Sequence, residues 1–396
     1  MTPSHIATDV AIVGAGPAGS LAARRLAAGG AQVVLLERAS FPRDKPCGDG
    51  VSAAGLAILS HIGLGEWASR FTAPEALRLS PPDGQPLDVQ PKAACYGRTI
   101  PRRLLDARLA QTAVEAGARL VEGTRVQNVE LAGGAGVTVV AAGLKVTAQL
   151  LILADGSHAP VTRKLGLAQG PPRFVAARQY FAGDIGPPRR MEIHFQKGIG
   201  PGYTWLFPMG EGRVNVGTGS SIRRVRQGQA SLREILARFV ADPRATDGRL
   251  ARAEPIGPLQ GHPLRTQLGD TRTHAERVLV AGDAAGLVNP LSGEGIAQAL
   301  ESGELAAAHA LAALEAGDFS ARALSPYSRA LEARYGPDWR AARILQLALN
   351  SPRLLNHVFR RLRRDEELAL LIAYIIIGHK SPRLALRPTT LLRLLT

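Results

Sequence analysis

Residues 9–38 read DVAIVGAGPAGSLAARRLAAGGAQVVLLER, and their reading decides the fold. An apolar strand over Val10–Val13 turns through Gly14, Gly16 and Gly19, enters a small-residue helix over Ser20–Ala28 and returns as a strand over Val33–Leu36. This is a βαβ unit with G-x-G-x-x-G at its first turn. Gly14 permits the tight turn, Gly16 clears space for a pyrophosphate, and Gly19 lets helix and strand pack closely. The helix N-terminus then presents unpaired N–H groups and a partial positive charge to the phosphates. Glu37 ends the second strand, where a carboxylate accepts the hydroxyls of an adenosine ribose and disfavours a 2′-phosphate. The unit predicts a bound dinucleotide and does not choose between NAD and FAD.

The chain of 396 residues has room for two domains or one large fold with insertions. Lys and Arg exceed Asp and Glu by 48 to 33, a net charge of +15 that favours anionic partners. The basic residues are scattered in pairs such as Arg102-Arg103, Arg189-Arg190 and Arg223-Arg224, with no zinc-finger spacing and no basic heptad helix, so nucleic acid is not expected. Cys47 and Cys95 cannot build a disulfide framework, MTPSHIAT lacks the features of a secretory signal, and no metal-ligand cluster is evident. The expected location is cytoplasmic, with peripheral attachment at the inner face of the membrane left open. The longest apolar run, Leu368–Ile377, is too short to cross a bilayer, which needs about 20 residues.

Outward from the βαβ unit, Phe41–Ser52 is a Gly- and Pro-rich loop placed to fold over a cofactor, and Ala53–Ile62 is an apolar-periodic segment. Phe71–Tyr96 reads as short strands in a second domain, and a helix begins at Pro101 and ends at Gly117. Strands follow at Arg119–Glu122, Val126–Leu131, Gly136–Ala141, Leu144–Ala148 and Leu150–Ala154. Residues 174–262 alternate as a mainly antiparallel sheet, Arg277–Ala281 is a last parallel strand, and Gly295–Ala312 is a helix. From Tyr327 onward the chain reads as helices broken at Pro326, Pro337, Pro352 and Pro382, and the histidines read as dispersed over the surface. The expected class is α/β: a Rossmann-like, discontinuous nucleotide-binding domain (1–75, 97–170, 271–325), an inserted antiparallel β-rich substrate domain (76–96, 171–270) and a helical C-terminal region (326–396).

A second motif is Gly282–Ile296, GDAAGLVNPLSGEGI. A parallel strand ending in Gly-Asp puts a carboxylate at the sheet's C-terminal edge, within reach of a polyol, and Gly293 and Gly295 open a helix towards a ring or phosphate. Taken with Glu37 and Asp155-Gly156, this resembles the flavin enzymes of the p-hydroxybenzoate hydroxylase fold. Within that group, Phe41–Gly50 (FPRDKPCGDG) and Tyr203–Gly219 (YTWLFPMGEGRVNVGTG) resemble the geranylgeranyl reductase family.

The resemblance, which covers Asp9 to about Ala308, implies FAD lined by Gly14, Gly16, Ala18, Gly19, Glu37, Arg38, Gly48, Arg102, Val126, Asp283, Gly295 and Ile296. It also implies an isoprenoid or lipid substrate beside Tyr203, Trp205, Phe207, Pro208, Gly217 and Gly219. Where relatives carry D-G-x-x-S-x-x-R, this chain has Ala159 and Thr162 at the Ser and Arg positions, with Arg163 as a substitute. Tyr203, Trp205 and Phe207 alternate, so a strand puts them on one face as a flat aromatic wall; the alternative is three ordinary core aromatics. Cys47 is either a small buried hydrophobe or a proton donor to an alkene carbon. Arg360, Arg361, Arg363 and Arg364 beside the apolar run suit an anionic membrane surface or a polyprenyl groove, or else an ordinary helix with a solvated basic face.

The expected activity is FAD-dependent reduction of carbon–carbon double bonds in an isoprenoid chain, with NAD(P)H or a ferredoxin-like protein as electron donor. Two other classes remain open: a flavin monooxygenase or halogenase of the same fold, and a non-catalytic flavoprotein. The acceptor and the oligomeric state do not follow from the sequence.

Overall fold

The computed structural model describes residues 4–92, 97–132, 136–228 and 230–395. Cys95 and the end of the 71–96 segment lie outside the described residues. Strand β1 (Ser4–Val13), helix α1 (Pro17–Ala28) and strand β2 (Val33–Leu36) form the expected unit, with Val10 opposite Val33 in a parallel pair. All four residues of β2 are buried, as befits a parallel strand covered on both faces. Beyond it come a two-residue strand β3 (Gly50–Val51), helix α2 (Ala53–His61), whose N-terminus the Ser52 side chain caps, and helix α3 (Gly65–Ser69).

The chain then crosses to a second sheet through β4 (Ala76–Ser80) and β5 (Leu87–Val89), and returns through β6 (Arg98–Thr99), which pairs with β3. Helix α4 (Arg102–Glu115) and strands β7 (Arg119–Val121), β8 (Val126–Ala132), β9 (Gly136–Ala141) and β10 (Leu144–Leu153) complete the first pass. Strand β10 is unbroken where the sequence suggests two strands. The reason is β1, which starts at Ser4 rather than Val10 and pairs with β10 from Ser4↔Leu144 to Val13↔Leu153. One half of β10 therefore closes the β8–β9 meander, while the other half belongs to the parallel sheet.

After α5 (Pro160–Lys164), strands β11 (Phe174–Ala182), β12 (Arg190–His194), β13 (Tyr203–Gly210) and β14 (Arg213–Ser221) build the second sheet. Helices α6 (Ile222–Gln227), α7 (Leu232–Ala241) and α8 (Pro243–Thr246) interrupt it before β15 (Glu254–Leu264). These helices were not expected within the alternating stretch. Their signal was present, since Ser231 and Glu234 form a capping box and Leu232, Leu236 and Phe239 recur on one buried face. The seven strands run β15-β11-β14-β13-β12-β4-β5, antiparallel except where β12 meets β4.

Strands β16 (His274–Ala275) and β17 (Val278–Val280) return the chain to the parallel sheet, giving the order β16-β17-β10-β1-β2-β7. Helices α9 (Ile296–Ala316), α10 (Ala321–Ala348), α11 (Pro352–Leu362), α12 (Glu366–Ile376) and α13 (Pro388–Leu395) follow. Contrary to the expectation from sequence, Pro326 and Pro337 do not break the helix; both lie inside α10. An interior proline costs about 3 kcal/mol. Burial of Leu324, Tyr327, Leu331, Tyr335 and Trp339, at about 1.5–3 kcal/mol for a large apolar side chain, outweighs two such penalties. The Ser325 hydroxyl also donates to the Arg322 carbonyl at 2.8 Å, the group that the missing Pro326 N–H leaves free. Pro352 and Pro382 do start new helical segments.

Among the described residues no helix is long and apolar enough to cross a membrane. The apolar run forms α12, whose Leu368, Ala369 and Ala373 are buried with Leu77 and Leu79 of the second sheet, Phe195 just after β12 and Phe359 of α11.

Candidate active site

One cavity of about 1920 Å³, counting its open mouth, runs from the C-terminal edge of the parallel sheet to the face of the second sheet. Gly16 and Ala18 line one end, the loop at residues 45–52 and segment 288–296 the middle, and Tyr203, Trp205 and Phe207 the far wall. Leu349, Ile376 and Ile377 from the C-terminal helices complete it.

The glycine turn works by close approach. Gly14 has φ +100°, and a Cβ there would lie 2.4 Å from the Ala154 carbonyl oxygen. A Cβ on Gly19 would lie 1.8 Å from the Gly14 oxygen, whereas Gly16 has nothing within 4 Å and leaves its backbone open to a ligand. Glu37 is buried and accepts from the N–H groups of Ala15 (3.0 Å) and Ala39 (3.1 Å), so its carboxylate is fixed at the turn's edge. Arg38 is exposed and Val126 half-buried; with Glu37 they lie outside the cavity, and the Thr124 N–H to Glu37 carbonyl bond (2.8 Å) ties their segments together.

The residues fit FAD. Asp283, at the end of the last parallel strand, faces the cavity and accepts from Lys45 (3.3 Å) and Ser157 (3.0 Å). Its pKa is held down by Lys45, His262 and Arg102 against the opposing effect of burial. A Cβ on Gly295 would sit 3.2 Å from Asp283 Oδ1, so that glycine makes room for the carboxylate. His262 Nε2 is buried in the cavity wall without a partner, and a buried polar atom of this kind calls for a ligand. This corrects the view of the histidines as surface residues. Arg102 also lines the cavity, but its guanidinium is bound in two places to Asp106 at 2.7 Å.

The departure at residues 155–162 has a structural explanation. Asp155 accepts from the N–H groups of Val161 (2.8 Å) and Thr162 (3.1 Å) and from the Thr162 hydroxyl (2.5 Å), which caps α5. Arg163 is exposed and does not replace the missing arginine. Thr162 holds the aspartate instead.

Tyr203, Trp205 and Phe207 share one face of β13, but the wall is ridged rather than flat. Neighbouring rings are 6.1 and 6.2 Å apart and inclined at 66° and 37°. Gly217, paired with Trp205 across the ladder, makes room for the indole: a Cβ there would lie 2.1 Å from Cζ2. Gly219 pairs with Tyr203, and Pro208 is buried on the other face of β13. The Tyr203 hydroxyl donates to the Ser292 carbonyl, which ties the wall to the segment that precedes α9.

Cys47 lines the cavity between these parts, and burial raises its thiol pKa, with Arg102 pulling the other way, so the neutral thiol is favoured. Two residues later, Asp49 is fully buried with φ +61°. It accepts from Tyr180 O–H (2.6 Å), Asn215 Nδ2 (2.9 Å) and the Arg102 N–H (3.1 Å). Burial still lifts its pKa to about 6. Protonation places a hydrogen among three donors, so catalytic efficiency is expected to fall as pH drops through about 6. Asp49→Asn, neutral throughout, should lose that acid limb, which a pH–rate profile reads directly.

Tyr180, Asn215 and His262 were not singled out from the sequence, and Asp49 entered only as part of the Phe41–Gly50 motif. A polar Asn215 between Val214 and Val216 on an inward-facing strand was the available signal. Tyr180 and His262 carry no local signal, because the sheet alone brings them to the cavity.

Residues 7–181 match the family model described as an FAD binding domain. The menaquinone reductase of Mycobacterium tuberculosis (strain H37Rv) is 34% identical over 369 residues, covering 88% of this chain and 85% of that protein. The digeranylgeranylglycerophospholipid reductase of Methanoculleus marisnigri is 32% identical, covering 85% of this chain and 82% of its own length. A solved structure from Thermoplasma acidophilum, described as geranylgeranyl bacteriochlorophyll reductase-like, superposes with a TM-score of 0.80 at 26% identity, covering 89% of this chain and 91% of that one.

Proposed function

Because the chain belongs to the geranylgeranyl reductase family of FAD-dependent oxidoreductases, we propose that it reduces carbon–carbon double bonds in the isoprenoid chain of a lipid or quinone. The observation that carries this reading is the single cavity joining the Gly16–Asp283 end to an apolar far end made by Met191, Ile193, Leu349, Ile376 and Ile377. An extended hydrocarbon gains about 0.8 kcal/mol for each CH₂ buried in such a channel.

FAD bound along Gly16, Ala18, Gly48, Asp283, Gly295 and Ile296 supplies hydride chemistry. Glu37, Arg38 and Val126 hold its adenosine end. The chain's own contribution is alignment and dryness: Tyr203, Trp205 and Phe207 grip the isoprenoid, and the Phe41–Ser52 loop closes the site over it. Cys47, kept neutral, holds the proton that one alkene carbon would take, and the thiolate so formed would regain a proton from water once the product leaves. Cys47→Ala is accordingly expected to keep its flavin and to lose about 10²–10⁴-fold in the rate of alkene reduction. Stopped-flow reoxidation of the reduced enzyme by substrate measures that loss, and an unchanged rate would make Cys47 a packing residue.

The electron donor is a reduced nicotinamide nucleotide or a ferredoxin-like protein. The exposed Arg360 and Arg364 suit contact with an anionic membrane surface, from which the substrate enters.

The test is anaerobic. Enzyme reduced with dithionite receives menaquinone, a geranylgeranylated ether lipid or geranylgeranyl diphosphate, and flavin absorbance and product mass are followed together. Reoxidation with a gain of two hydrogens per bond supports the reading and names the acceptor. Flavin that stays reduced until oxygen enters, with oxygen or halogen then in the product, would support a monooxygenase or halogenase instead.

A further inference from the structure

We propose that Asn215 is a positioning residue whose side-chain amide fixes the Cys47–Asp49 loop at one distance from the Trp205 indole. Every polar atom of that amide is used. Nδ2 donates to the Cys47 carbonyl at 2.8 Å and to Asp49 Oδ2 at 2.9 Å, and Oδ1 accepts from Trp205 Nε1 at 3.0 Å. Asn215 is fully buried on β14, the strand that pairs with β13, so its place is set by the sheet ladder rather than by the loop. On the side of the second sheet the loop is also held by β11, where Tyr180 O–H donates to Asp49 at 2.6 Å and Arg178 to the Asp44 carboxylate at 2.6 and 2.7 Å. Asp49 holds a left-handed conformation, and Gly48 lies close enough to Phe207 that a Cβ would meet Cε2 at 3.1 Å. A loop with a strained residue keeps one conformation only when its surroundings over-determine it, and Asn215 supplies the contact that reaches both loop and wall.

The inference rests on the reading that an alkene lies between that wall and Cys47. The amide is then the link that couples the loop's place to the indole's, and a change there alters the geometry of reaction more than the affinity for a long apolar chain. The groups facing Asp49 are Tyr180 and Arg178 from β11, Arg102 from α4 and Cys47 from the loop. Among the described residues, Asn215 is the side chain with hydrogen bonds to Cys47, Asp49 and Trp205 together.

Asn215→Asp is nearly isosteric and replaces the double donor by an oxygen. Three acceptors then meet without a hydrogen, until a proton shared with Asp49 restores one bond. At neutral pH and above, kcat is expected to fall about 10- to 100-fold with KM changing little, the size of a lost hydrogen bond between buried polar or charged groups. The second readout needs no substrate. Alkylation of Cys47 by iodoacetamide in the oxidised holoenzyme, followed by mass spectrometry of its peptide and compared at equal thiolate fraction because the new carboxylate raises the thiol pKa, should be about tenfold faster than in the unaltered protein. Both changes should shrink as pH falls and the carboxylate pair takes up a shared proton, which happens at higher pH than protonation of Asp49 in the unaltered protein, and the direction is opposite to the acid limb expected there.

Trp205→Phe, which keeps an aromatic ring but removes the indole N–H, should also raise the alkylation rate and carries the test if Asn215→Asp fails to retain flavin. Alkylation at the unaltered rate in the variant that folds, or a loss of kcat that does not change with pH, would overturn the proposal. Because alkylation is read without an acceptor, faster alkylation with no alkene turnover in the unaltered protein would count against the reductase reading and leave the positioning role standing.

Discussion

Gly19→Ala is expected to yield protein that purifies without flavin. The added Cβ would sit 1.8 Å from the Gly14 carbonyl oxygen, 3.0 Å from its carbon and 3.3 Å from the Ala154 Cβ. The first two contacts are with backbone, so no side-chain rotation relieves them, and α1 must move away from the turn. Overpacking of this kind costs about 1–3 kcal/mol. It also displaces the helix N-terminus proposed to face the pyrophosphate, so the loss is expected in cofactor affinity as well as in stability. The flavin-to-protein absorbance ratio and the melting temperature should therefore drop together. Gly16→Ala is the informative contrast. Nothing lies within 4 Å of its new Cβ, so the protein should melt normally while the methyl group occupies the ligand's path. Full flavin content in Gly16→Ala would remove the pyrophosphate from that position.

Gly217→Ala should leave flavin content intact and disable turnover of long isoprenoids. Its Cβ would lie 2.1 Å from Trp205 Cζ2 and 2.5 Å from Cε2, so the indole has to leave the ladder position that it shares with Gly217. As the ring moves, its N–H releases Asn215, and the disturbance reaches the Cys47 loop as well as the wall. A misplacement of about 1 Å at a reacting centre costs about 10²-fold in rate, and that is the loss of catalytic efficiency expected here. Gly219→Ala should cost less, because its Cβ would make only an ordinary 3.4 Å contact with the Ala176 Cβ. Equal losses for the two variants would show that the indole's seat on Gly217 does not matter.

These two glycines mark the division between what the chain declares and what folding adds. Local sequence determined the nucleotide-binding unit, because Gly14, Gly16, Gly19 and Glu37 act within one βαβ turn, where spacing along the chain is spacing in space. It likewise placed Asp283 and Gly295 at the sheet's edge, and it put Tyr203, Trp205 and Phe207 on one face, since alternation is a property of any strand. Tertiary structure alone decided the rest. Packing against the parallel sheet carried α10 through Pro326 and Pro337 against local preference, and the early start of β1 made one strand of β10. The inclination of the aromatic rings came from Gly217 on the neighbouring strand. Asn215 stands 168 residues from Cys47, and Tyr180 stands 131 from Asp49. Hydrogen bonds over such separations depend on which strands pair, and no periodicity in a single chain records that choice.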